Sequence, residues 1–252
     1  MADLIKTTGM VLSAMPVGEY DKRLVILTKE RGKISAFVRG ARRQNSPMLA
    51  GSRPFSFGEF MLYEGRSSYT VSSINISHYF MEISSDFYGA YYGFYFLEFA
   101  DYYTRENVNE SEMIKLLFQS IRALLTETIP NELIQYIYEL KAMMINGEYP
   151  NAFSCVMCKS EENLNGFSVK RNGVVCSNCK NPIEDTITIN ESTVYTLQYI
   201  ISVGIEKLYT FTVSKEVLKE LSMVLNRLKS IYIDKKMKSL DILMQINSQK
   251  LD

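Results

Sequence analysis

The stretch Leu24-Val-Ile-Leu-Thr-Lys-Glu-Arg-Gly32-Lys-Ile-Ser-Ala-Phe-Val38 decides the first third of the fold. Leu24, Ile26 and Thr28 alternate with Val25 and Leu27. Glu30-Arg31-Gly32-Lys33 then supplies turn chemistry, and Ile34, Ala36 and Val38 resume a period of two, which predicts a β-hairpin. Working outward, Phe55, Phe57, Glu59, Met61 and Tyr63 form one face of another strand. Gly65-Arg66-Ser67 turns it, and Tyr69 to His78 is a Ser- and Ile-rich return. With an opening segment from Ile5 to Met15, five short strands fall within about 80 residues, a spacing that suits a small closed barrel such as an OB-fold.

From Ser84 the period changes. Residues 86 to 103 hold ten Phe or Tyr, many at spacings of three and four, which predicts a helix that is apolar nearly all round and therefore central. Gly89 and Gly93 on it are read as permitting close packing. Helices are also predicted over Met113 to Thr126, Leu133 to Ile145, Glu191 to Val203 and Ser214 to Ile231, the first two behind Asn109-Glu110-Ser111 and Pro130-Asn131 as start signals. Helical periodicity stops between Asn151 and Asp185. The expected class is α+β, an N-terminal OB-fold β-barrel followed by an α-helical domain that carries an insertion rich in Gly, Asn, Ser and Cys. The expected divisions are a barrel over 1–80, helical parts over 81–150 and 187–252, and the insertion over 151–186.

The whole chain has 252 residues, 46% of them hydrophobic, with 28 Lys plus Arg against 28 Asp plus Glu. A neutral total excludes a uniformly basic coat, so any site for a polyanion must be local. Residues 1–80 hold eleven cations against six acids, so the basic surplus lies in the barrel. A single histidine excludes a histidine-rich metal site. Met1 to Leu12 has no apolar run of signal-peptide length, and Phe87 to Phe99 is too short for a membrane helix, so a cytoplasmic protein is expected.

The most specific local pattern is Cys155-Val-Met-Cys158, seventeen intervening residues, then Cys176-Ser-Asn-Cys179. Two residues between cysteines let both sulfurs of a tight turn face one ion, and two such turns complete a tetrahedral site of four thiolates that best fits zinc. A filled shell leaves no open position for catalysis, so the expected role is to staple an insertion too small to bury a core; contact of the knuckle tips with nucleic acid or protein is the alternative. A second pattern is the set Lys22, Arg23, Lys33, Arg39, Arg42 and Arg43 with Tyr20, Phe37, Phe60 and Tyr63 interleaved. On a barrel, such cations track phosphates while aromatic faces stack bases, although a charge-protected edge strand has the same composition. His78 is expected as a surface residue at a strand end. P-loop, dinucleotide-binding and nucleophile-elbow motifs are absent. Glu139 and Lys141 form a nuclease-like Glu-x-Lys, but inside a helical pattern, where solvated charges explain it better.

These residues resemble a known family, the bacterial recombination mediator RecO. The likeness is carried by Gly18-Glu19-Tyr20-Asp21, by Thr28 with Gly32-Lys33, by Arg39-Gly40-Ala41-Arg42-Arg43 and by Pro54-Phe55. It continues through Phe153-Ser154, the cysteine spacing and Lys238-Ser239-Leu240. The resemblance implies an OB-fold, a helical domain with a zinc insertion, and a non-enzymatic role with no catalytic residue. It implies binding to single- and double-stranded DNA, annealing of complementary strands, cooperation with RecR, and help in loading RecA on strands covered by single-strand-binding protein. It also implies a cytoplasmic, nucleoid-associated protein with no membrane partner. Carried over by position, the six barrel cations become DNA contacts and the four cysteines become ligands of one structural zinc. The helical domain is expected to receive the acidic tail of single-strand-binding protein, with Lys115 and Arg122, two turns apart beside Leu116, Ile121 and Leu125, as the candidate site. A metal-dependent nuclease, or an adaptor in transcription or RNA metabolism built from the same parts, is the alternative.

Overall fold

A computed structural model describes residues 4–84, 86–126, 128–181 and 184–248. The first five strands are β1 (Leu4–Val17), β2 (Asp21–Thr28), β3 (Gly32–Val38), β4 (Phe57–Glu64) and β5 (Tyr69–His78). They close into a barrel in the order β1-β2-β3-β5-β4. All pairings are antiparallel except the short parallel closure of β3 on β5, where Ala36 faces Tyr69 and Phe37 faces Thr70. The period-two pattern sets which side chains enter. Leu24, Ile26, Ile34, Ala36, Val38, Phe60 and Leu62 fill the interior, while Arg23, Ser35 and Phe37 lie on the other parity, outside.

The β2–β3 hairpin turns on Gly32, whose φ of +65° favours glycine and whose missing Cβ would lie 1.9 Å from the Arg105 carbonyl oxygen. The Thr28 hydroxyl donates to the Gly32 carbonyl at 2.7 Å, and the Lys33 amide donates to the Arg105 carbonyl at 3.0 Å. The turn is thereby fastened to the segment that follows the first helix.

Among the described residues seven α-helices follow: α1 (Phe87–Tyr103), α2 (Ser111–Leu124), α3 (Asn131–Ile145), the single turn α4 (Ser177–Lys180), α5 (Glu191–Ser202), α6 (Lys215–Tyr232) and α7 (Lys238–Ser248). A three-stranded sheet of β6 (Leu164–Ser168), β7 (Gly173–Cys176) and β8 (Thr186–Thr188), ordered β7-β6-β8, lies between α3 and α5 in sequence. Two compact units result, one of residues up to 125 with those from 237 on, the other of residues 126–236. The change from strand to helix near residue 80 does not coincide with the boundary between units, because α1, α2 and α7 fold with the barrel.

In the first unit α1 is central, with Tyr92, Tyr95, Phe96 and Phe99 buried. Its two glycines serve different ends. Gly93 leaves room for Phe55 and Ile83, while a Cβ on Gly89 would strike the Asp86 carboxylate that caps the helix. Helix α7 has its N-terminal cap supplied from a distance: the Glu98 carboxylate accepts the Lys238 and Ser239 amides at 3.1 and 2.9 Å and the Ser239 hydroxyl as well.

In the second unit the Lys141 ammonium donates to the carbonyls of Ile200, Ile201 and Val203 at 3.1, 3.1 and 2.8 Å, satisfying the C-terminal carbonyls of α5. Glu139 of α3 pairs with Lys229 of α6 at 2.7 Å and also accepts from the Gln135 amide at 2.8 Å. Among the described residues no helix is long and apolar enough to cross a membrane.

Candidate metal centre and nucleic-acid interface

The first knuckle of the metal centre is a turn closed by the Lys159 amide donating to the Cys155 carbonyl at 2.9 Å. It is joined to β7 by the Val156 amide, which donates to the Val174 carbonyl at 3.0 Å. Gly173 is required at that junction, because a Cβ would lie 2.6 Å from both the Asn151 oxygen and Val156 Cγ1. The second knuckle begins at Cys176, the last residue of β7, and Cys179 follows on the single turn α4.

All four sulfurs lie within 4.8 Å of one another. Cys158 Sγ and Cys176 Sγ are 3.6 Å apart, far beyond the roughly 2.05 Å of a disulfide, and all four cysteines are free. Four sulfurs each about 2.3 Å from one tetrahedral ion would be about 3.8 Å apart, so the cluster fits such an ion with little rearrangement. Burial raises the Cys155 thiol pKa, but backbone N–H groups of Cys158, Cys176 and Met157 and the Cys158 thiol outweigh it and bring the value down to about 6. Hydrogen bonds with the Cys158 and Cys176 thiols push Cys179 up to about 12. A cation held by all four sulfurs would displace their remaining protons.

The barrel cations separate into three places. The loop after β3 folds back on the β1–β2 turn: the Gly40 amide donates to Asp21 Oδ1 at 2.7 Å, the Arg42 amide to the Tyr20 carbonyl at 2.8 Å, and the Arg42 guanidinium to the Gly18 carbonyl at 3.2 Å. Arg43 stands over the Tyr20 ring, 5.2 Å from its centroid. Lys22 reaches the Ser52 carbonyl at 2.7 Å; burial first, then the charges of Arg53 and Arg42, lower its pKa. Arg43 thus lies on the exposed Tyr20 ring with Arg42 bonded to the Tyr20 backbone, Arg53 and Arg42 are close enough to Lys22 to lower its pKa, and Arg39 is exposed on the same loop as Arg42 and Arg43. Arg53 was not among the sequence candidates, since only the folding of the 48–55 loop brings it to the others.

Arg23 lies instead on the outer barrel wall, its Nε donating to Ser35 Oγ at 2.8 Å. Lys33 lies at the opposite end of β2 and β3. It pairs in register with Leu27 whereas Lys22 pairs with Val38, a separation of five residues or about 17 Å. Its ammonium is 3.2 Å from Asp101 Oδ1 and donates to the Asp101 carbonyl. Lys33 therefore fastens the barrel to α1 and does not join the cluster. Of the interleaved aromatics, Phe60 is fully buried in the barrel core, while Tyr20 and Tyr63 are 43% and 42% exposed.

On α2, Arg122 is exposed and rides over Phe118, 6.0 Å from the ring centroid, and Lys115 is half-buried. Leu116 and Ile121, expected to line a groove beside them, are fully buried; only Leu125 of the three is exposed. The reason is the helical stripe, which turns Met113, Leu116, Leu117 and Ile121 together into the core. Phe118 belongs instead to an aromatic cluster with Phe57, His78 and Phe80 at 4.6, 5.0 and 5.4 Å. His78 is exposed at a strand end, as expected. Glu139 and Lys141 are both buried in packing roles, Glu139 paired with Lys229 and Lys141 bound to carbonyls, and do not form a nuclease centre.

Comparison with known proteins covers both halves of the chain. The family "Recombination protein O N terminal" matches residues 1–80 and "Recombination protein O C terminal" matches residues 84–241. The chain is 35% identical over 233 residues to the DNA repair protein RecO of Alkaliphilus metalliredigens, covering 92% of this chain and 95% of that protein. It is 29% identical over 248 residues to the protein of that name from Acetivibrio thermocellus, covering 98% of each. The Bacillus subtilis protein is 29% identical over 247 residues, 98% of this chain and 96% of its own length.

Proposed function

This chain belongs to the recombination protein O family of DNA repair proteins, and from that premise we propose that it is a recombination mediator. It binds single- and double-stranded DNA, anneals complementary strands, and with RecR helps to load RecA on strands coated by single-strand-binding protein. The observation that carries this reading is the Arg43 guanidinium over the exposed Tyr20 ring, with exposed Arg42 on the same folded loop bonded back to Tyr20 and Gly18. Cations held on a folded loop beside an exposed ring offer phosphate contacts and a stacking face, the combination that sequence-tolerant strand binding needs.

The DNA-binding barrel is assigned to residues 1–80 and the metal-binding insertion to 151–186; of the helices in 81–150 and 187–252, α1, α2 and α7 fold with the barrel and the others with the insertion. Arg39, Arg42, Arg43 and Lys22 of the sequence candidates make the primary contacts, joined by Arg53. Arg23 extends the surface along the outer wall, and Lys33 is structural. Cys155, Cys158, Cys176 and Cys179 hold one structural zinc, which supplies a cross-link between the two knuckles and no chemistry. Lys115 and Arg122 remain the candidate receptors for the acidic tail of single-strand-binding protein, with the Phe118 ring in place of the expected leucine groove. The role is non-enzymatic, and the place of action is the cytoplasm, at the nucleoid. The test is annealing of complementary strands coated with single-strand-binding protein. The wild type accelerates annealing with the strands recovered intact, and Arg42→Ala with Arg43→Ala loses most of that rate. Shortened strands would instead indicate a nuclease, and a preference for RNA an adaptor.

A further inference from the structure

On the second unit, α5 and the chain leading into α6 border an open groove of about 690 Å³. A smaller hollow of about 400 Å³ shares Glu191 and Tyr195 with it. Glu191, Tyr195 and Tyr199 are four apart, so they line one face of α5 over two turns, about 12 Å. That length matches about four residues of extended chain.

Three properties of this trough select its occupant. Its charge has one sign: Glu191 borders both hollows, Glu161 and Glu162 border the smaller, and among the described residues no Lys or Arg lines either. None of these three carboxylates is in an ion pair among the described residues. Its walls are aromatic: Tyr195 is 67% exposed. Tyr199 and Phe211 meet edge to face at 5.0 Å, with the Tyr199 hydroxyl donating to the Lys207 carbonyl at 3.2 Å, which holds that wall in place. Its other side is bare backbone, because Phe211, Thr212 and Val213 lie outside any helix or strand, and their amides and carbonyls have no backbone partner among the described residues.

We propose that this trough docks a basic, extended peptide segment of a protein partner. Its Lys or Arg side chains meet Glu161, Glu162, Glu191 and the Tyr195 face, an alternate apolar side chain lies against Tyr199 and Phe211, and its backbone bonds to residues 211–213. DNA and acidic peptides are disfavoured here by the same carboxylates. The arginine-rich loop 39–43 of a second copy is not such a segment, because it is held in a folded turn by Asp21, Tyr20 and Gly18. The site is separate from the DNA reading, so either can fail alone.

The test is a titration of the full zinc-loaded chain with a fluorescein-labelled peptide that alternates leucine with lysine or arginine, at about 20 mM salt, where screening is weak. The wild type binds it and does not bind the matching peptide with glutamate in place of the cations. Glu161→Gln, Glu162→Gln and Glu191→Gln combined weaken binding about tenfold, and Tyr195→Ala weakens it as well. Unchanged zinc content and DNA affinity in both variants show that the fold is kept. No binding to the wild type overturns the proposal, as does equal affinity for the glutamine variant. Dissociation of a dimer of this chain by the peptide would also overturn it, by assigning the trough to a second copy.

Discussion

Glu98 offers a test of how the far end of the chain is built into the first unit. Its carboxylate receives the amides of Lys238 and Ser239 at 3.1 and 2.9 Å, two of the donors that the first turn of α7 cannot satisfy within itself. Glu98→Ala removes that cap, a loss of about 1–2 kcal/mol. It also removes a negative charge from the positive end of the helix, a further loss of about 0.3–1 kcal/mol. Together these come to about 2 kcal/mol, or about a thirtyfold rise in the population of undocked α7. Glu98→Gln keeps an acceptor oxygen and loses the charge, for about a fivefold rise. Hydrogen exchange read on a peptide spanning 238–248 reports that population directly. Amides of α5 and α6, in the other unit, should exchange as in the wild type. Unchanged exchange over α7 in Glu98→Ala would refute the capping argument and leave Leu243, 1% exposed, as the anchor of the helix.

Protein purified without chelator should contain one zinc per chain, and Cys176→Ser should unfold the insertion before the rest, since structural zinc sites supply about 10–16 kcal/mol of apparent binding energy; metal analysis that finds no zinc contradicts this. Lys33→Ala should leave DNA affinity and its salt dependence unchanged while lowering stability in urea by up to about 1 kcal/mol, because a half-exposed pair with Asp101 contributes little more; a loss of DNA affinity as large as that of Arg42→Ala would return Lys33 to the interface.

The readable parts of this fold were those whose cause is local. The hairpin from Leu24 to Val38 announces itself by alternation and by the turn at Gly32, and the cysteine cluster by two short spacings that permit one geometry. Phe60 lies on the opposite parity of its strand from Tyr63, so it points inward and offers no stacking face. What could not be read depends on remote partners. Helix α7 has no capping residue in its own sequence because Glu98 caps it. Arg53 joins Arg42 and Arg43 only through the folded loop after β3. Lys33 lies apart from Arg42 and Arg43 and pairs with Asp101, a partner 68 residues later in the chain. Leu116 and Ile121 were assigned to a surface groove because a helix face shows its stripe in sequence but not which side the core occupies.

The central claim is that the loop cations around Tyr20 hold single-stranded DNA, and the most direct measurement is the salt dependence of that binding. If about four of Lys22, Arg39, Arg42, Arg43 and Arg53 touch phosphates, the slope of log K against log salt should be near −3 for the wild type, from about −0.7 per contact. Arg42→Ala, Arg43→Ala and Arg53→Ala together should bring the slope to about −1 and weaken binding at every sequence tested. A triple variant with the wild-type affinity and slope would contradict the account and move the DNA site off the barrel.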